Sequence, residues 1–225
     1  MSKPLCIIPA RGGSKRFPRK NIALFNGKPL LAQAVETAIA SDVFSEVIVT
    51  SDDDEFLAVA SEYGATAIKR SADLSSDTAQ VKQVCADLLK SLADEGKVFD
   101  AFAVLIPVSP LRTVEDIQKA YELLQGDTVH TVMSVVPYDS PPQLAQSIKG
   151  DYMEPYFDGD KLPAQQMETL YHHDGTVIFC DAASFLEEGE FYGSHVVPYI
   201  MPLERTVDID EPKDLQWAEF LHSQL

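Results

Sequence analysis

The sequence predicts an α/β protein built on a doubly wound, mostly parallel sheet. Three observations predict it. Over the first half of the 225 residues, short apolar runs alternate with stretches of helical spacing. Several of those runs are apolar throughout, as strands buried on both faces require. The connections are short, as in consecutive β-α-β units.

The elements follow in order. Pro4–Pro9 is a continuous apolar run and reads as the first strand. Pro29–Ser41 (PLLAQAVETAIAS) has helical spacing, with Pro29 suited to a first turn. Glu46–Thr50 (EVIVT) is a second strand. The stretch Ser51-Asp52-Asp53-Asp54 supplies caps for a helix that runs to about Tyr63 and ends at Gly64. Ala79–Ala93 is another helix and Ala101–Ile106 a third buried strand. Thr113–Leu124 is a helix opened by Thr113 and Asp116 at capping-box spacing. After Val129–Val136 the rhythm breaks. Asp139–Gln166 is rich in Pro, Gly and polar residues and reads as an irregular insertion or a small dimerisation arm. Thr176–Cys180 and His195–Ile200 return to strand character, and Glu211–Leu221 closes the chain as a helix. Trp217, at a helical spacing from Leu221, is expected in the core. This organisation is a single domain over 1–225 with an inserted arm at roughly 139–170.

Composition narrows the function. Apolar residues form 45% of the chain, enough for a sizeable core. No segment is long and apolar enough to cross a bilayer, so no membrane partner is expected. The N-terminal apolar run is too short for a signal-peptide core. Cys6, Cys85 and Cys180 each lie in an apolar run without a CxxC partner. That argues for buried thiols, against a disulfide framework or zinc site, and for a cytoplasmic protein. A net charge of -17 argues against nucleic acid.

Against that charge, five of the 18 cations fall within ten residues: Arg11, Lys15, Arg16, Arg19 and Lys20. They flank Gly12-Gly13-Ser14, directly after the first strand. Ligands of parallel α/β sheets bind at the C-terminal strand ends, where this loop must lie. Glycines let Arg11-Gly12-Gly13-Ser14 turn tightly, so that its amides can cradle phosphate oxygens. The cations then neutralise a polyphosphate. The loop is neither GxGxxG nor GxxxxGK[ST]. The plainer alternatives are a solvated basic loop or a nucleic-acid patch. Near the other end, Asp208 and Asp210 stand at i and i+2 of an extended segment, which points both carboxylates to one side. Such a pair can share one Mg²⁺. Alternatively Asp210 caps the last helix, and the two roles are compatible.

The stretch PARGGSKRFPRKN, followed by GKPLL, resembles the N-terminal signature of the acylneuraminate cytidylyltransferases. Further matches are Val49-Thr50-Ser51-Asp52, the segment Arg70–Thr78, Pro107-Val108-Ser109-Pro110-Leu111-Arg112, and Val207-Asp208-Ile209-Asp210. The resemblance covers nearly the whole chain. It implies a Rossmann-like nucleotidyltransferase (GT-A-like) fold and a reaction in which the anomeric hydroxyl of a nine-carbon keto-acid sugar attacks the α-phosphorus of CTP. The products are a CMP-sugar and pyrophosphate. It further implies Mg²⁺ on Asp208 and Asp210, and a homodimer. Arg11, Lys15, Lys20, Asp208 and Asp210 become the catalytic set. Ala10, Arg11, Gly12, Gly13, Ser14, Lys15, Lys20, Asn21, Arg70 and Ala79 become the nucleotide contacts. For Arg70 the structural alternative is a surface pair with Asp73. For Arg112 it is a structural arginine bonded to loop carbonyls.

The sugar side departs from the family pattern. Relatives commonly read Gln-Pro-Thr-Ser-Pro-Leu-Arg where this chain has Ile106-Pro107-Val108-Ser109-Pro110-Leu111-Arg112. No arginine lies between Arg112 and Arg205. A sugar carboxylate must therefore meet other groups, for which Gln165, His172, His173, Lys161 and backbone amides are candidates. Ser109, Gln165, Tyr171 and His172 are the expected substrate contacts. Because strand neighbours face opposite ways, at most one of His172 and His173 is expected in the pocket. The alternatives are a cytidylyltransferase for another keto-acid sugar such as the eight-carbon Kdo, a glycosyltransferase, and a nucleotide-binding homologue without catalysis.

Overall fold

The computed structural model describes residues 2–71, 73–76, 79–126, 128–158 and 162–225. Its strands and helices, in chain order, begin with β1 (Leu5–Pro9), a small hairpin of β2 (Leu24–Phe25) and β3 (Lys28–Pro29), and α1 (Leu30–Ala40). There follow β4 (Glu46–Ser51), α2 (Asp54–Glu62), β5 (Thr66–Lys69), α3 (Val81–Asp94), β6 (Ala101–Val104), α4 (Val114–Leu124) and β7 (Thr131–Pro137). The second half has β8 (Gln146–Lys149), β9 (Tyr152–Pro155), β10 (Tyr171–Asp181), α5 (Ala182–Glu188), β11 (Val196–Ile200) and α6 (Pro212–His222).

Seven strands form one sheet in the order β11-β7-β10-β6-β1-β4-β5. All adjacent pairs are parallel except the two made by β10, which runs antiparallel between β6 and β7. The mostly parallel sheet is thus as expected, with one reversed strand in its interior. The alternation along β1 shows why both faces are covered. Cys6 and Ile8 join Leu31, Val35, Phe56 and Ile117 from α1, α2 and α4. Leu5 and Ile7 join Cys85, Leu88 and Leu92 of α3 and Phe185 of α5 on the opposite face. Cys6, Cys85 and Cys180 are buried and free, and burial pushes all three thiols up. A third apolar cluster packs Val207 and Ile209 against Phe25, Leu30, Val108 and Ala218 of α6, directly beneath the site.

The caps are where local chemistry places them. The Asp53 carboxylate accepts from the amides of Glu55 and Phe56 at 2.9 and 3.4 Å. Thr113 and Asp116 form the reciprocal capping box at the start of α4. Other expectations need correction. Asp210 does not cap α6: Glu211 does, and the Asp214 carboxylate takes the amides of both Asp210 and Glu211. Trp217 is 53% exposed and stacks on Phe220, because the buried stripe of α6 runs through Ala218 instead. Strand β10 starts at Tyr171, five residues earlier than its apolar part at Thr176, since backbone pairing with β7 continues through polar residues. Short β5 and α5 lack a long periodic signal and were not expected from the sequence. The arm holds the β8–β9 hairpin, with Ile148, Tyr152 and Met153 exposed.

Candidate active site

Strands β1, β4, β6 and β7 all end at one edge of the sheet, and reversed β10 begins there. The basic loop leaves β1 at this edge. Its glycines act differently from the expectation: neither Gly12 nor Gly13 has a positive φ, and the left-handed residue of the loop is Arg19 (φ 59°). Gly12 is favoured by close approach: a Cβ there would lie 3.1 Å from Cβ of Asp53, which would have to give by a few tenths of an ångström. Its amide donates to Oδ1 of Asp52 at 3.0 Å, so this amide is turned to the protein and not free for a phosphate. Asp52, at the end of β4, thereby shapes the loop. In the sequence its signs are a position at a strand end and its place in the Val49-Thr50-Ser51-Asp52 match.

The loop lines a cavity of about 520 Å³ with Arg11, Ser14, Lys15, Arg16, Lys20 and Asn21. Pro9, Phe17, Ile106, Pro107, Val108 and Asp210 complete the lining. Arg19 is the exception among the cations. It pairs with Asp53 and Glu55 and lies over the Phe56 ring, away from the cavity. Asn21 is buried and its side-chain amide donates to the carbonyl of Arg11 at 3.0 Å, which holds the loop closed on itself. Ala10 is buried, and its amide donates to the Thr50 carbonyl. Arg11 donates to the carbonyl of Ser76 at 3.1 Å, joining the basic loop to the segment that carries Arg70 and Ala79. Arg70 is not paired with Asp73 as its alternative supposed. Its Nη groups donate to the carbonyls of Leu74 and Thr50, its buried Nε has no partner, and desolvation lowers its pKa. Asp77 and Thr78 lie outside the described residues.

The carboxylate segment meets the loop from the far end of the chain. Lys20 Nζ donates to Asp210 Oδ1 at 2.7 Å and to the Ile209 carbonyl at 3.1 Å, and Arg16 donates to Asp210 Oδ2 at 2.5 Å. The Ile209 amide donates to the Val108 carbonyl at 2.9 Å. Cation contacts hold the Asp210 carboxyl below the usual range, the Lys20 hydrogen bond most of all. Asp208 moves the other way: desolvation raises it, and the neighbouring Asp210 charge raises it further. Two carboxylates two residues apart, shifted in opposite directions, thus face the cations of the first loop. Among the described residues, no group of three or more His, Cys, Asp or Glu side chains could hold a metal, so any cation here takes its remaining ligands from substrate or water.

Asp208 opens onto a second cavity of about 320 Å³, lined also by Val136, Asp139, His172, His173, Asp174 and Thr206. Both histidines border it, contrary to the alternation rule. The pairing of β10 with β7 is regular from Tyr171 to His173 and shifts only after it, so the cavity meets both faces at the start of the strand. His173 Nδ1 lies 3.0 Å from the Ser134 carbonyl, and His172 packs on the ring of Tyr138. Tyr171 is exposed at the start of β10. Gln165 lies elsewhere, in a third cavity between the arm and Tyr138. Ser109 is buried, lines none of these cavities, and its Oγ has no partner. Lys161 lies outside the described residues. Arg112 is the structural arginine of the alternative reading: it is buried and donates to the carbonyls of Thr176 and Ile106 at 2.5 and 3.1 Å. Burial lowers its pKa to about 10, so it stays charged at neutral pH. It ties a wall of the first cavity to the bulge of β10 beside the second.

Comparison with known proteins agrees with this geometry. A family model described as Cytidylyltransferase matches residues 5–222. A pseudaminic acid cytidylyltransferase of Campylobacter jejuni is 34% identical over 223 residues, covering 98% of this chain and 96% of the relative. A CMP-N,N'-diacetyllegionaminic acid synthase of Legionella pneumophila is 34% identical, with coverages of 95% and 93%. A solved CMP:2-keto-3-deoxy-manno-octonic acid synthetase complexed with CTP shares the fold, at 16% identity and a TM-score of 0.73 over 99% of both chains. With the matched family model spanning both the basic loop and the carboxylate segment, the chain belongs to the cytidylyltransferase family.

Proposed function

We propose that this protein couples CTP to the anomeric hydroxyl of a nonulosonic acid, a nine-carbon keto-acid sugar, giving a CMP-sugar and pyrophosphate. The observation that carries this reading is the meeting of two unlike cavities at Asp208 and Asp210. One is lined by Arg11, Lys15, Arg16 and Lys20 and suits a triphosphate. The other is lined by Asp139, His172, His173, Asp174 and Thr206 and suits a polyhydroxylated sugar. The reacting hydroxyl and the α-phosphorus then meet at the boundary. The relatives named above, similar along their whole length, support the reading.

Asp208 and Asp210 would hold Mg²⁺. Bound there, the cation offsets negative charge on the triphosphate as pyrophosphate departs. The chain's own part is positioning and charge neutralisation. Arg16 and Lys20 occupy both oxygens of Asp210 in the present arrangement, and a triphosphate competes for these same cations. Among the described residues no Lys or Arg lines the second cavity, and His172 and His173 are the groups there that could meet the sugar carboxylate. Exposed Tyr152, Tyr156 and Phe157 on the arm support a homodimer through that face. The free, buried cysteines support a cytoplasmic location.

The test is pyrophosphate release from CTP with Mg²⁺, run separately with pseudaminic, legionaminic and N-acetylneuraminic acids and with Kdo. Release with one nine-carbon acid is expected. Release with Kdo alone would replace the nine-carbon assignment by the eight-carbon one. CTP binding with no release from any acid would favour a nucleotide-binding homologue without catalysis.

A further inference from the structure

Beside a wall segment of the second cavity lies a largely buried ion pair that the reaction does not use directly. Asp116, 1% exposed, accepts from Arg205 Nη1 at 2.5 Å and from Arg205 Nη2 at 2.9 Å, one bond to each carboxylate oxygen. Arg205 Nη1 also donates to Thr113 Oγ1 at 3.1 Å, and the Tyr199 hydroxyl donates to Asp116 Oδ1 at 2.8 Å. Asp116 is fixed from its own side by the capping box of α4. Its carboxyl stays below the usual range despite burial, held there by the Thr113 amide, Arg205 and the hydroxyls of Thr113 and Tyr199.

Arg205 ends the short turn Leu203–Arg205, three residues before Asp208. Leu203, two residues before it, and Thr206, the residue after it, are walls of the second cavity. Downstream, the segment has other anchors: Val108 and Lys20 hold Ile209, and Asp214 holds the amides of Asp210 and Glu211. Upstream of Asp208, Val207 is held by apolar packing, and among the described residues the long-range polar side-chain anchor is Arg205. A two-pronged guanidinium–carboxylate contact fixes orientation as well as distance, which a point charge cannot do.

We propose that Arg205, through its ion pair with Asp116, is a positioning residue that sets Asp208 and the adjoining wall of the second cavity. The inference rests on the metal role proposed for Asp208. It assigns Arg205 to the Asp208 side of the site, while the nucleotide cavity keeps its own anchors through Lys20 and Asn21.

The test is Mn²⁺ binding to the full protein with CTP present, followed by electron paramagnetic resonance, beside CTP binding without metal by calorimetry. Arg205→Lys keeps the charge and loses the fork. It is expected to weaken Mn²⁺ by about tenfold, as changes in groups that orient metal ligands commonly do, and to leave metal-free CTP affinity within about twofold. Tyr199→Phe touches the same Asp116 without touching the turn. It is expected to lower the melting temperature and leave Mn²⁺ affinity unchanged. Wild-type affinity for Mn²⁺ in Arg205→Lys would overturn the proposal, and so would an equal loss in Tyr199→Phe, which would make the ion pair merely structural. Failure of the wild-type protein with CTP to take up Mn²⁺ would instead sink the metal reading, and this inference with it.

Discussion

Lys20 Nζ stands 2.7 Å from Asp210 Oδ1, across 190 residues of sequence, and so couples the basic loop to the carboxylate segment. Lys20 is mostly covered and also holds the Ile209 carbonyl. Replacing Lys20 by Met removes a charge-assisted contact of about 1.5–3 kcal/mol to any phosphate that takes its place. The dissociation constant for CTP should rise about 10- to 100-fold, measured by calorimetry. Unchanged CTP affinity would count against a triphosphate in this cavity.

Asp208 and Asp210 should respond oppositely to neutralisation. Asp208 has a raised pKa, so the folded protein holds its proton more tightly than the unfolded chain. Its ionisation subtracts stability once pH exceeds the ordinary aspartate value of about 3.9. Asp208→Asn should therefore raise the metal-free melting temperature at pH 7, by about 2 °C, with the gain vanishing below about pH 4. Asp210 has a lowered pKa, so its stabilisation is complete above the ordinary value and is lost as pH falls through the depressed one. Asp210→Asn should lower the melting temperature at pH 7. Both substitutions should cut turnover by at least about 10²-fold, measured as pyrophosphate release.

Gly12→Ala tests the close approach at the loop. The added methyl meets Cβ of Asp53 at 3.1 Å and its carboxylate at 3.2 Å. Asp53 is held by the amide of Glu55 and by Arg19, so the loop is expected to shift, at a cost of about 1–3 kcal/mol by overpacking. The Gly12 amide then parts from Asp52, and CTP affinity should fall with stability. Gly13→Ala, whose added methyl meets nothing nearer than 4.0 Å, is the control expected to fold normally.

Gly175→Ala tests the bulge of β10. Gly175 has φ 77°, and an added Cβ would lie 2.8 Å from Cδ1 of Ile106. The left-handed backbone alone costs about 1–2 kcal/mol for a residue with a Cβ. Ile106 lines the first cavity and the bulge borders the second, so KM should rise for both CTP and the sugar. A rise in neither, with a normal melting curve, would show that the bulge does not set the cavities.

Much of the fold is legible locally. The apolar run at β1, the caps at Asp53 and Thr113, and the spacing of α1 and α4 are decided by neighbours within a few residues, so the sequence carries them directly. Short β5 and α5 carry too few residues for a period to show. Reversed β10 is hidden for another reason. Its polar first half, Tyr171 to Gly175, is a strand only because β7 offers it a ladder. Trp217 misled because a spacing of four identifies a face of a helix without saying which face is covered.

By itself the sequence determined the cation density of the first loop, the two aspartates two residues apart, and the β-α rhythm that puts the loop at a strand end. Each is a short-range property. The tertiary structure alone decided that Lys20 and Arg16 reach Asp210 while Arg19 turns away to Asp53 and Glu55. It alone decided that Asp52 takes the Gly12 amide, that Gln165 stays with the arm, and that Arg205 finds Asp116 across 89 residues. These pairings follow from how strands and helices pack, and the partner of a charge is set by what lies near it in space, which spacing along the chain does not encode.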